Sequence, residues 1–137
     1  MTDLMAWSEC EDKYIRKVHV DLSKIKSITE MANERLNFVK SLNANEKNAS
    51  FIFEGYYEVI KELLVALMLK NGLRSKNHQC LFTFFAKEYD HDAEVNLIKQ
   101  MNFLRNRLNY YGERVEFAYF KENYKSFDKV IKLLLGL

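Results

Sequence analysis

The chain has no proline and only four glycines among its 137 residues. Proline breaks a helix interior, and glycine loses the most backbone freedom when it is ordered there. A chain nearly free of both can sustain long, uninterrupted helices. It also lacks the turn residues that a sandwich or barrel of short strands needs. The apolar repeat agrees. From Val18 it runs Leu22, Ile25, Thr29, Ala32, Leu36 and Val39, stepping by four and three, which keeps one stripe toward a partner helix. A second stripe is Leu97, Met101, Leu104, Leu108 and Tyr111. A third is Phe117, Phe120, Tyr124, Phe127, Ile131 and Leu134, joined by Val130. The segment Leu63–Leu69 is apolar nearly all round, which suits a helix covered on several sides. The expected fold is all-α: an antiparallel up-and-down bundle of four long helices plus one or two short ones, forming a single domain over residues 1–137. All three stripes can serve one core, or one of them can serve a homodimer interface.

Local signals set the expected boundaries. A short helix carrying Leu4, Trp7 and Tyr14 precedes a long one from near Lys13 to near Leu42. Asn43–Asn48 is a polar connection. Ser50 caps the next helix, and Asn71-Gly72 ends it. Leu73–His78 reads as a basic loop, after which Asn77 caps a short helix bearing Leu81, Phe84 and Phe85. Asp90 or Asp92 caps the following helix, Gly112 ends or bends it, and the last runs from about Val115 to Leu135.

The net charge of +2 does not by itself imply a nucleic-acid partner. Its distribution is more informative: acidic Asp3, Glu9, Glu11 and Asp12 precede basic Lys13, Arg16, Lys17, Lys24 and Lys26. Lys121, Lys125, Lys129 and Lys132 form a ridge at helical spacing, either a solvated face or a track for phosphates or an acidic partner. Cys10 and Cys80 have no metal-ligand spacing. A disulfide between them stays open, but inert thiols in a reducing compartment are the expectation. The N-terminus does not resemble a signal peptide, and no apolar run approaches the ~20 residues that cross a bilayer. The expectation is therefore a soluble cytoplasmic protein without membrane contact. His19, His78 and His91 form no metal constellation, and there is no phosphate-binding loop, nucleophile elbow or zinc-finger pattern, so no metal or cofactor is expected.

Chemistry concentrates in Leu104–Gly112, which reads LRNRLNYYG. At about 100° per residue, Arg105 and Asn109 lie one turn apart on one side of a helix, and Asn106 and Tyr110 on the adjacent side. The planar guanidinium can donate two hydrogen bonds to a phosphate. Each residue also has an ordinary role open to it: Arg105 can pair with a carboxylate across the bundle, and Tyr111, on the apolar stripe, can pack in the core.

The order Gly55-Tyr56-Tyr57, then Lys70-Asn71-Gly72-Leu73-Arg74-Ser75-Lys76-Asn77-His78, then Arg105-Asn106 on the next long helix resembles HEPN domains. These are small helical domains with an Arg-Asn-x-x-x-His signature. The resemblance covers the chain from about Phe51 onward. It implies a homodimer that brings two copies of the signature together. It also implies RNA or nucleotide as ligand, metal-independent endoribonuclease activity in many members, and in some a separately encoded minimal nucleotidyltransferase acting as antitoxin. Here Tyr110 stands at the histidine position. Its hydroxyl has a reference pKa of about 10 against about 6.5 for histidine, a poor match for proton transfer at neutral pH. The expected catalytic set is Arg105, Asn106 and Tyr110. The expected RNA- or nucleotide-binding set is Arg105, Asn109, Arg107, Arg74, Lys76 and His78. His78 would supply the missing imidazole if its loop approached Arg105. The competing reading is a non-catalytic protein-interaction or nucleotide-binding module.

Overall fold

Asp21 sets the start of the first long helix: its carboxylate accepts the Lys24 amide at 3.1 Å. In the computed structural model, which describes residues 3–137, that helix begins at Leu22 rather than near Lys13. The element order is α1 (Trp7–Lys13), β1 (Ile15–Lys17), α2 (Leu22–Ser41), α3 (Ala49–Lys70), β2 (Leu73–Ser75), α4 (His78–Glu88), α5 (Asp92–Tyr111) and α6 (Phe117–Leu135). The all-α class holds, with a small ribbon that was not expected. Gly72, at φ 71°, turns the chain out of α3, and its carbonyl accepts the Val18 amide. The three residues that follow pair antiparallel with β1, Ile15 opposite Ser75 and Lys17 opposite Leu73. The Leu73–His78 loop is therefore half strand, and Val18, where the first stripe was expected to begin, lies before α2 and outside it.

Helix α3 is the hub. It packs against α2, α4, α5, α6 and β2. Its all-round apolar sequence explains this: Phe53, Tyr57, Ile60, Leu64 and Met68 bury one stripe, and Ile52 and Val59, off that stripe, are buried as well. Against it α6 lays Phe120, Phe127, Val130, Ile131 and Leu134. The Phe127 ring meets Phe53 edge-on at 5.8 Å and Tyr56 at 5.8 Å. Among the described residues, no helix is long and apolar enough to cross a membrane.

The α2–α3 contact is close because Gly55 has no side chain. A Cβ there would lie 2.5 Å from Val39 Cγ2, and Val39 is β-branched and buried. Gly55→Ala would ordinarily stabilise a helix by about 1 kcal/mol. Here it is expected to destabilise by about 1–3 kcal/mol, as overpacked cores do. Val39→Ala in the same chain should recover part of the loss, measured by urea unfolding of both variants. A Gly55→Ala protein as stable as wild type would show that the helices separate freely.

Two expected helix caps need correction. Ser50 is not a cap: α3 starts one residue earlier, and the Ser50 hydroxyl accepts the buried Val115 amide at 2.9 Å, tying α3 to the segment before α6. Asn48, at the cap position, instead closes its own turn, accepting from the Asn45 amide and donating to the Asn43 carbonyl. Helix α5 starts behind His91 with no side-chain cap, so neither Asp90 nor Asp92 acts as one. Asp92 and Glu94 place negative charge in its first turn, where the helix dipole favours it.

The buried residues of α5 are Val95, Ile98, Met101 and Asn102. The expected stripe fails toward its end: Leu104 and Leu108 are half-buried and Tyr111 is 71% exposed, not packed in the core. The reason lies on α3. The last turns of α5 face its polar flank at Glu54 and Glu58 rather than its apolar body.

Cys10 and Cys80 form a disulfide joining α1 to α4, which overturns the reading of two inert thiols. The β1–β2 pairing explains it. Residues just after α1 lie beside residues just before α4, so two cysteines 70 positions apart in sequence meet.

Candidate functional site

The site forms where α3, α4 and α5 meet. Asn77 caps α4, its side chain accepting the Cys80 amide at 3.2 Å, and its own amide donates to Ser75 Oγ. That fixes His78 as the first residue of the helix. The buried Tyr57 hydroxyl, from α3, lies 2.9 Å from His78 Nδ1 and donates to Asn102 Oδ1 of α5, also at 2.9 Å. A phenol has one hydrogen. Since Tyr57 gives it to Asn102, His78 Nδ1 must carry the proton that reaches Tyr57. The neutral imidazole is thus the Nδ1–H tautomer, and the lone pair sits on Nε2.

Arg105 lies beside this group. Its guanidinium stands 5.6 Å over the Tyr57 ring, a cation–π distance. Nη1 donates to Asn106 Oδ1 at 3.4 Å, and Nη2 is 4.0 Å from Glu58. With the Asn109 amide oriented to satisfy both neighbours, its oxygen accepts from Arg105 Nε at 3.1 Å and its nitrogen donates to Glu54 at 2.8 Å. The arginine side chain is 19% exposed. It does pair across the bundle, as its ordinary role requires, but at the outer limit of an ion pair.

A groove of about 420 Å³ is lined by Asn77, His78, Gln79, Asn102, Arg105, Asn106 and Tyr110. Tyr110, 70% exposed, stands at its rim. On the other side of His78 a second groove of about 350 Å³ holds Lys24, Lys61, Arg74 and Lys76. His78 lines both. The structure therefore brings His78, Arg105, Asn106 and Tyr110 to one groove, with Arg74 and Lys76 on the adjoining one. Asn109 supports Arg105 from behind. Arg107 is a correction: it does not line the groove. Its guanidinium sits between the Phe103 and Tyr111 rings at 5.6 and 5.4 Å and pairs with Glu113. Tyr57 and Asn102 were missed as site residues. Asn102 did carry a signal, being an amide next to Met101 in the stretch of α5 that must be buried.

Electrostatics follows from this geometry. Burial lowers the His78 pKa below its ordinary 6.5, and the Lys61 and Arg105 cations push it down further, against a smaller opposing effect of Glu58. Burial raises the Tyr57 pKa, so that phenol keeps its proton. The folded protein therefore holds His78 neutral at pH values where the unfolded chain would protonate it. The sign follows: this contribution to stability is complete above about pH 6.5 and declines as the pH falls through the unfolded value. Imidazole NMR should show His78 titrating below 6.5 with Nε2 unprotonated in the neutral form. The loss of stability between pH 7.5 and 5.5 should be smaller in His78→Gln. A His78 signal titrating above 6.5 would contradict the burial argument.

Among the described residues, no group of three or more His, Cys, Asp or Glu side chains is placed to hold a metal ion. What the arrangement offers is an uncharged imidazole, a guanidinium and an exposed phenol around one opening. No protein-family model, curated protein or solved structure matches the chain, so its geometry and chemistry carry the functional argument.

Proposed function

We propose that this chain is a HEPN-like helical protein that binds RNA through its phosphates and cleaves it without a metal. The observation that carries the reading is the placement of His78 and Arg105, from different helices, on one groove. In this reading His78 replaces the imidazole that Tyr110 displaced. Its Nε2 takes the proton of a ribose 2′-hydroxyl, and the 2′-oxygen attacks the adjacent phosphorus. Arg105 donates to the non-bridging oxygens as their charge grows. The 5′-oxygen leaves with a proton from Tyr110 or water, giving a 2′,3′-cyclic phosphate and a 5′-hydroxyl end. Lys24, Lys61, Arg74 and Lys76 hold neighbouring phosphates.

The same reading makes the helices an antiparallel up-and-down bundle and the protein a homodimer. It also proposes a separately encoded nucleotidyltransferase as antitoxin partner. It places the protein in the cytoplasm, where burial of both cysteines would have to shield the disulfide from reductant.

A second reading rests on the Glu58 and Asn109 contacts of Arg105, which suit a non-catalytic interaction or nucleotide-binding module. The test is RNA incubated in chelator with wild type, Arg105→Ala and Tyr110→His. Wild-type cleavage lost in Arg105→Ala supports the ribonuclease. Activity only in Tyr110→His means a scaffold that binds without cutting. Silence in all three defeats the ribonuclease and turns the search to a protein partner.

A further inference from the structure

Sharing no lining residue with the two His78 grooves, the end of α2, the start of α3 and the first half of α6 line an open cavity of about 890 Å³. That size falls within the range of small-molecule sites, roughly 300–1,000 Å³. Its surface is mostly apolar and aromatic. Val39, Ile52 and Phe120 are buried beneath it, and Leu42, 40% exposed, stands at its edge. The Phe120 and Tyr124 rings stack at 5.7 Å.

The polar groups are unevenly placed. Lys40 lies 3.3 Å from Asp128, which offsets the two charges without a hydrogen bond to the buried Oδ1. Tyr56 faces Asp128 from the floor; burial, then that carboxylate, pushes its pKa up to about 12, so it stays neutral. Lys121 and Lys125, one turn apart on α6, line the cavity and form no ion pair among the described residues, and Lys121 rests over the Phe117 ring at 5.3 Å. Glu122 and Asp128 are the two carboxylates of the same lining, and Asp128 is the one paired with Lys40. The lysine ridge of α6 therefore begins at the rim of an apolar cavity.

We propose that this cavity binds a small anionic amphiphile, an acyl or aromatic body seated over Phe120, Ile52 and Val39 with one carboxylate or sulfonate held by Lys121 and Lys125. An apolar floor favours the body, and two lysines without carboxylate partners select the head group over a cation of the same length. The proposal is independent of RNA cleavage.

The test uses anilinonaphthalene sulfonate as a fluorescent probe with the folded, disulfide-bonded protein. Saturable one-to-one binding is expected. Decanoate should displace the probe, and decylamine at the same concentration should not. Lys121→Glu with Lys125→Glu should weaken decanoate at least tenfold. Ala44→Phe, which fills the cavity edge from a half-buried loop position, should abolish probe binding. Methyl NMR of wild type reads the same site without a variant: decanoate should shift Val39, Leu42 and Ile52. Non-saturable probe binding, equal displacement by decylamine, or shifts confined to other methyls would overturn the proposal. Displacement only by a longer peptide would reassign the cavity to a protein partner.

Discussion

Reduction of the Cys10–Cys80 bridge is expected to lower the unfolding free energy by about 4 kcal/mol. The two cysteines lie 70 residues apart, and a closed loop of that length removes about that much chain entropy from the unfolded state. The native state adds little to offset it. Both sulfurs are fully buried, and α1 already sits on α4, with Trp7 6.0 Å from Phe84 and the Thr83 hydroxyl donating to the Met5 carbonyl. Single domains are stable by only about 5–15 kcal/mol, so the loss is a large fraction of the whole. For a urea slope of about 2 kcal/mol/M, the midpoint should fall by about 2 M. Oxidised and reduced wild type should be compared first, because that pair isolates the tether. Cys10→Ala with Cys80→Ala comes second, since alanine adds no polar group at two fully buried positions. A non-reducing digest that yields free thiols, or equal stability of the two forms, would sink the prediction.

The bridge also marks where sequence reasoning stopped. Features carried by a few neighbouring residues were legible: the all-round apolar run of α3, the Asn77 cap, and the left-handed glycines at 72 and 112. The Arg105-Asn106 pair was legible for the same reason, since one helix fixes both. Features made by distant segments were not. Nothing near Ile15 announces that Ser75 will lie opposite, and without that pairing Cys10 has no reason to find Cys80. Helical phase was misread where a single residue had two uses. Tyr111 continues an apolar stripe on paper, but α3 turns its Glu54 and Glu58 flank to the end of α5, and the ring is left to Arg107. Arg105 and Arg107 are two residues apart, about 200° around the helix, so they could not both face one groove. His78 could be named as a candidate but not placed, because its position depends on the α4 cap, the β2 turn and a hydroxyl from α3.

That hydroxyl gives the second large prediction. If His78 is the base of the proposed ribonuclease, His78→Ala should slow metal-free cleavage by about 100-fold or more, the usual worth of a positioned acid–base group. Tyr57→Phe is the more discriminating variant. It keeps the buried ring under Arg105 but removes the atom that joins His78 Nδ1 to Asn102. Both of those groups then lose a buried partner, at a cost of roughly 1–3 kcal/mol in stability. The imidazole also loses the acceptor that kept its proton on Nδ1, so the Nε2–H tautomer, which cannot act as base toward the groove, becomes populated. Cleavage should fall roughly tenfold, less than in His78→Ala, because the base is misdirected rather than removed. Imidazole NMR of Tyr57→Phe should show the tautomer shift directly, which a merely structural role for Tyr57 would not produce. Cleavage by both variants within about threefold of wild type would remove His78 from the chemistry, leaving Tyr110 and Arg105 to account for any activity.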